Sequence, residues 1–137
     1  MYFSLMMDSD TSTQEQFIDI ERLSYAIHEF EEARSEDEKQ KILEKIRVLV
    51  QTGFEDYEEE PFFTDEDPLS SAVCTGSLEL VTILVEAGAS ANVMAPDDFT
   101  TPLYVAKQFG HTEIAEYIET ITSDELREVT EQLLQQN

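Results

Sequence analysis

DPLSSAVCTGSLELVTILVEAGASAN, residues Asp67 to Asn92, is followed by TPLYVAKQFGHTEIAEYIE, residues Thr101 to Glu119, and the second segment repeats the first. A shift of 34 positions lays Pro68 on Pro102, Leu69 on Leu103, Ala72 on Ala106, Gly76 on Gly110, Glu79 on Glu113, Leu80 on Ile114 and Leu84 on Ile118. Self-similarity at such a period is the mark of one supersecondary unit copied along a solenoid, each copy too small to bury its apolar face alone.

The residues predict the unit. Asp67 and Thr101 precede a proline, an arrangement in which the side-chain oxygen accepts a free first-turn N–H and the proline forfeits no bond it needed. A helix therefore starts at each. Gly76 and Gly110 end those helices after about two turns, where glycine makes a left-handed connection at least cost. A second helix follows, with Leu80, Val81, Leu84 and Val85 on one face in the first copy and Ile114, Ala115 and Ile118 in the next. Gly88 closes it, and residues 89–100 form a polar connection to the next copy.

These segments resemble the ankyrin repeat, whose T-P-L-H-x-A motif stands here as Thr101-Pro102-Leu103-Tyr104-Val105-Ala106. Gly88 to Leu103, GASANVMAPDDFTTPL, is similar to the hairpin that joins successive ankyrin repeats, with Asn92 and Phe99 at positions the family favours. Tyr104 and Ser70 replace the family's histidine, and Asp67 replaces its threonine in the earlier copy. The resemblance implies an all-α, ankyrin-type helix-turn-helix solenoid with N- and C-terminal capping helices, and a protein-binding module without catalysis.

Upstream, Phe17, Ile20, Leu23, Ile27 and Phe30 recur at helical spacing over residues 14–34, and Ile42, Leu43, Ile46, Leu49 and Val50 do so over residues 37–51. Leu23, Ala26 and Ile27 echo Leu69, Ala72 and Val73 at an offset of 46, while Leu43, Ile46, Leu49 and Gly53 echo Leu78, Val81, Leu84 and Gly88 at 35. The difference of 11 residues, His28 to Glu38, predicts a first repeat with longer helices. The expected organisation is a frayed segment 1–13 and one domain over 14–137, with repeats at about 17–66, 67–100 and 101–121 and a capping helix at about 123–135. Thr122 and Glu125 have the spacing of a capping box, and Leu126, Val129, Leu133 and Leu134 form the apolar stripe of that last helix, which covers the final repeat.

Composition narrows the function. The chain has 137 residues, 31 of them acidic and 8 basic, for a net charge of −23. Residues 1–66 hold 19 acids and 6 bases, and the remainder 12 and 2, so the excess belongs to the whole surface rather than to a tail. Such a field repels DNA, RNA and anionic lipid and attracts basic partners. No apolar run approaches the ~20 residues of a membrane span, and MYFSLMM lacks the basic flank of a signal peptide. The lone Cys74, without an internal disulfide partner, is expected to be a buried small apolar residue, and the chain to be cytoplasmic and monomeric.

Residues 53–66, GFEDYEEEPFFTDE, carry the densest chemistry. In register with residues 88–100 they form the first finger between repeats, which in ankyrin proteins projects beside the concave face. Acids interleave with aromatics there, a combination that pairs rigid contact area with carboxylates for Arg and Lys. The expected partner-binding residues are Phe54, Asp56, Tyr57, Glu58, Glu59, Glu60, Phe62 and Phe63, joined from the second finger by Met94, Asp97, Asp98, Phe99 and Tyr104. Tyr57 and Phe62 are the expected anchors.

Catalytic chemistry has little support. His28 and His111 lack metal-ligand spacing, Cys74 has no neighbouring base, and no P-loop, GxSxG or dinucleotide pattern occurs. A calcium loop over Asp8 to Asp19 fails at its glycine, apolar and final glutamate positions. Neither a cofactor nor a metal is expected. The reading is a binding module for a basic protein, in its concrete form an inhibitor or immunity-type protein masking a toxin or nucleic-acid-acting enzyme. The alternatives are a generic ankyrin adaptor and an acidic DNA mimic.

Overall fold

A computed structural model describes residues 19–54, 62–63, 67–96 and 99–136. The first helix, α1 (Ile20–Glu32), starts where the Asp19 carboxylate accepts the Arg22 N–H at 3.1 Å, later than the expected start at Gln14, because Asp19 takes the extended backbone of a cap. Phe17 lies outside the described residues. Ser35 caps α2 (Glu36–Leu49) through the Glu38 N–H, and acids in its first turn with Arg47 in its last complement the helix dipole. These helices have 13 and 14 residues, against 7 and 9 for α3 (Pro68–Cys74) and α4 (Leu78–Glu86). The insertion at residues 28–38 lengthens both, as its position predicts. A third pair, α5 (Pro102–Gln108) and α6 (Thr112–Glu119), is followed by α7 (Asp124–Gln136).

Each pair packs as a layer, and layers stack through like helices. α1, α3, α5 and α7 form one row in that order, with α4 against α6 in the other. Leu23, Leu69 and Leu103, all but inaccessible to solvent, run through the first row beside Ala26, Ala72 and Ala106, whose methyl groups let the helices approach closely. Leu80, Val81, Leu84, Ile114 and Ile118 fill the space between rows. Truncating a buried leucine of this kind costs roughly 2–5 kcal/mol.

The departures from the family motif leave the starts of α3 and α5 capped. Asp67 accepts the Leu69 N–H at 3.0 Å and the Ser70 hydroxyl at 2.5 Å, and Thr101 accepts the Tyr104 N–H at 3.0 Å. Gly76 holds φ +78°, and a Cβ there would stand 3.0 Å from His111 Cε1. The His111 ring thus packs across to the preceding layer, and its side chain makes no cap bond at the start of α6.

Two short strands link the layers on one side. β1 (Phe62–Phe63) pairs in parallel with β2 (Val93–Met94), Phe62 opposite Val93 and Phe63 opposite Met94. Nearby, the Phe54 N–H donates to the Ala87 carbonyl at 2.9 Å.

At the C-terminal end the capping box is not formed. Ser123 caps α7 by accepting the Leu126 N–H, while buried Thr122 donates its hydroxyl to the Ile118 carbonyl at 2.6 Å. The Ser123 N–H goes instead to Asn92 Oδ1 at 2.7 Å, tying the cap to the second finger. The buried face of α7 also differs from the expected stripe. Leu126 and Thr130 are fully buried, whereas Val129, Leu133 and Leu134 are only partly covered. Thr130 reaches the Thr101 hydroxyl at 2.7 Å, with neither residue accessible to solvent.

Candidate functional site

The first-row helices and the second finger enclose a groove of about 650 Å³. α1 supplies Glu21, Ser24, Tyr25 and His28; α3, with its cap, supplies Asp67, Ser70, Ser71 and Cys74; Ala95 and Thr100 come from the finger and Val105 from α5. Repetition explains the lining. Tyr25, Ser71 and Val105 hold one position of the repeat, and Ser24, Ser70 and Tyr104 hold the position before it. Because Ala26, Ala72 and Ala106 point into the core one residue later, these positions are left facing outward. The middle layer contributes only the short side chains of Asp67, Ser70, Ser71 and Cys74.

Its electrostatics are one-sided. Among the described residues no lysine or arginine lines it, and the carboxylates are those of Glu21 and Asp67. Burial pushes the Asp67 carboxyl above its ordinary value, against the opposing hydrogen bonds from Ser70 and Leu69. His28 stands with Nε2 3.3 Å from Glu32 and Nδ1 4.0 Å from Glu31. Elsewhere Lys45 is held by Glu29 at 2.9 Å, Arg47 by Glu44 and Glu79, Lys107 by Glu131 and Glu119, and Arg127 by Asp124, while Lys39 stands over the Phe30 ring.

Cys74 is exposed in this groove, contrary to the buried position expected for it. It stands at the C-terminal end of a seven-residue helix, on the face away from Leu69 and Val73, which is why the core does not reach it. Burial, and then the charges of Glu31 and Asp67, push its thiol up, so it is a poor nucleophile.

The residues expected from sequence fall in several places. Phe54 is half-buried against the core, and Met94 is buried in β2. Phe62 and Phe63 form β1, beside the second finger. Asp56, Tyr57, Glu58, Glu59, Glu60, Asp97 and Asp98 lie outside the described residues. Phe99 is 51% exposed at the finger tip with φ +61°, a left-handed conformation that costs a bulky residue about 1–2 kcal/mol. Bonds from the Phe99 N–H to the Ala95 carbonyl and from the Ala95 N–H to the Thr100 carbonyl close that tip. Tyr104 is half-buried on α5. The groove residues Glu21, Tyr25, His28 and Cys74 escaped the sequence reading, although the register of Tyr25 with Ser71 and Val105 was a signal that could have found them.

Stacked helix pairs joined by fingers, with an open groove along one row, define a solenoid-type binding scaffold. Residues 69–118 match the family model described as ankyrin repeats (many copies), so that part of the chain is similar to ankyrin repeats. No curated protein and no solved structure matches it. Ankyrin repeats are protein–protein interaction modules, generally without catalysis. Among the described residues, no helix is long and apolar enough to cross a membrane, and no group of three or more His, Cys, Asp or Glu could hold a metal ion.

Proposed function

We propose that this protein is a non-catalytic binding module for a basic protein, and that it acts as an inhibitor or immunity-type protein masking the working surface of a toxin or nucleic-acid-acting enzyme. The observation that carries the reading is the groove itself, with no lysine or arginine among the described residues that line it, in a chain of net charge −23. Asp56, Tyr57, Glu58, Glu59, Glu60, Phe62 and Phe63, with Asp97, Asp98 and Phe99, are the further partner-binding residues proposed from the sequence, where acids interleave with aromatics. Opposite charge on a basic target raises the rate of encounter, which favours capture before the target acts.

The test is recovery of partners on the tagged full chain at low and moderate salt, followed by assay of the recovered protein with and without this chain. One basic protein retained in equal proportion at both salts, and inhibited on addition of the chain, is the expected result. A salt-labile mixture of assorted nucleic-acid-binding proteins would refute the reading.

A further inference from the structure

The groove is more specific than a negative surface. Its floor is the middle layer's Ser70, Ser71 and Cys74, flanked by Tyr25 on α1 and Val105 on α5. Small floor residues between Tyr25 and Val105 leave an open volume of about 650 Å³, room for a long side chain. Tyr25, 67% exposed, presents an aromatic ring at its rim, and Glu21 shares the lining one helical turn away at i−4. Tyr25 also borders a second hollow, between α1 and α2, lined by Arg22, Lys45, Val48 and Leu49. Both cations there are paired, with Asp19 and Glu29, so that hollow lacks the unopposed carboxylate of the groove.

We infer that the groove seats an arginine side chain from an extended segment of the basic partner, its guanidinium stacked on the Tyr25 ring and paired with Glu21. A planar, weakly hydrated cation gains from both a ring face and a carboxylate, whereas a lysine ammonium is a hydrated point charge with no plane to stack. The hydroxyls of Ser24, Ser71 and Thr100 offer donors and acceptors to the backbone of the entering segment. The inference rests on the basic-partner reading above and narrows it to one residue type and one place.

Hexa-arginine and hexa-lysine, peptides of equal charge, serve as probes of the isotope-labelled full chain followed by NMR. Hexa-arginine is expected to shift the amide signals of Ser24, Ser70, Ser71 and Cys74 and to bind at least about three-fold more tightly than hexa-lysine. Glu21→Gln with Tyr25→Ala, both on an exposed face of α1, should weaken hexa-arginine by about ten-fold. Neutralising Glu38, Glu44 and Glu113 to glutamine, away from the groove, should change it by less than about two-fold. Equal affinity for the two peptides, or an equal loss in both variants, would overturn the inference by showing that bulk charge alone binds. The two readings fail separately. A protein partner that binds the Glu21/Tyr25 variant undiminished sinks the arginine seat and spares the basic-partner reading, while groove shifts with hexa-arginine in a chain that retains no stoichiometric basic protein do the reverse.

Discussion

Replacing Thr130 with valine tests how the last helix is attached. The Thr101 and Thr130 hydroxyls meet at 2.7 Å in a site closed to water, and Thr101 also accepts the Tyr104 N–H that starts α5. Thr130→Val keeps the shape and removes one hydroxyl, so Thr101 loses a bond in a dry environment at a cost of about 1.5 kcal/mol. Thr101→Val loses the same bond, strands the other hydroxyl and removes a helix cap, for about 2.5 kcal/mol. With both replaced, only the cap and the net worth of one hydroxyl pair are missing, about 2 kcal/mol. The double variant should therefore be more stable than the sum of the singles by about 1–2 kcal/mol. Urea unfolding followed by far-UV circular dichroism reads this directly, since the chain has no tryptophan. Additivity to within about 0.5 kcal/mol would refute the reasoning, because residues that share no contact do not couple.

Asp67→Asn should keep the α3 cap while removing a carboxyl that burial holds above its ordinary value. Below the unfolded value both states of the wild type are protonated; as pH rises the unfolded chain ionises first, so wild type loses stability relative to the variant until the folded carboxyl has ionised too. Urea midpoints taken upward from about pH 3.9, the unfolded value, should show the variant gaining on wild type, and the opposite slope would contradict the burial argument. Gly76→Ala and Gly110→Ala form a matched pair, with φ of +78° and +74°. Each should cost about 1–2 kcal/mol in backbone strain, and Gly76→Ala should cost more, because its Cβ meets the His111 ring at 3.0 Å while the other meets nothing within 4 Å. Thermal melts that rank them the other way would show that His111 yields freely.

Most of the fold was legible because it rests on spacing. The 34-residue shift, the Asp67-Pro68 and Thr101-Pro102 starts, and the ladder of Leu23, Leu69 and Leu103 all appear in the order of residues. What escaped depends on long-range geometry. Thr122 had the right neighbour for a capping box, but the Ile118 carbonyl competed for its hydroxyl and Asn92 claimed the Ser123 N–H from 31 positions away. Thr130 is a polar residue that only Thr101, 29 positions away, satisfies inside the core. The groove has no local signature like that of the finger, where acids and rings are dense in sequence, because only the stacking of layers brings Glu21, Tyr25 and Ser71 together.

That stacking divides labour within each helix. At one position of the repeat, alanine in all three layers sets how closely the backbones approach; at the position before it, tyrosine, serine and valine face the groove, the first two exposed and Val105 leaning partly on the core. Changes at Tyr25 and Ser71 are thereby separated from the requirements of folding, and those layers can be altered without renegotiating their neighbours. A lineage carrying this scaffold can follow a changing target through substitutions at a few outward positions, while selection on the buried ladder stays constant.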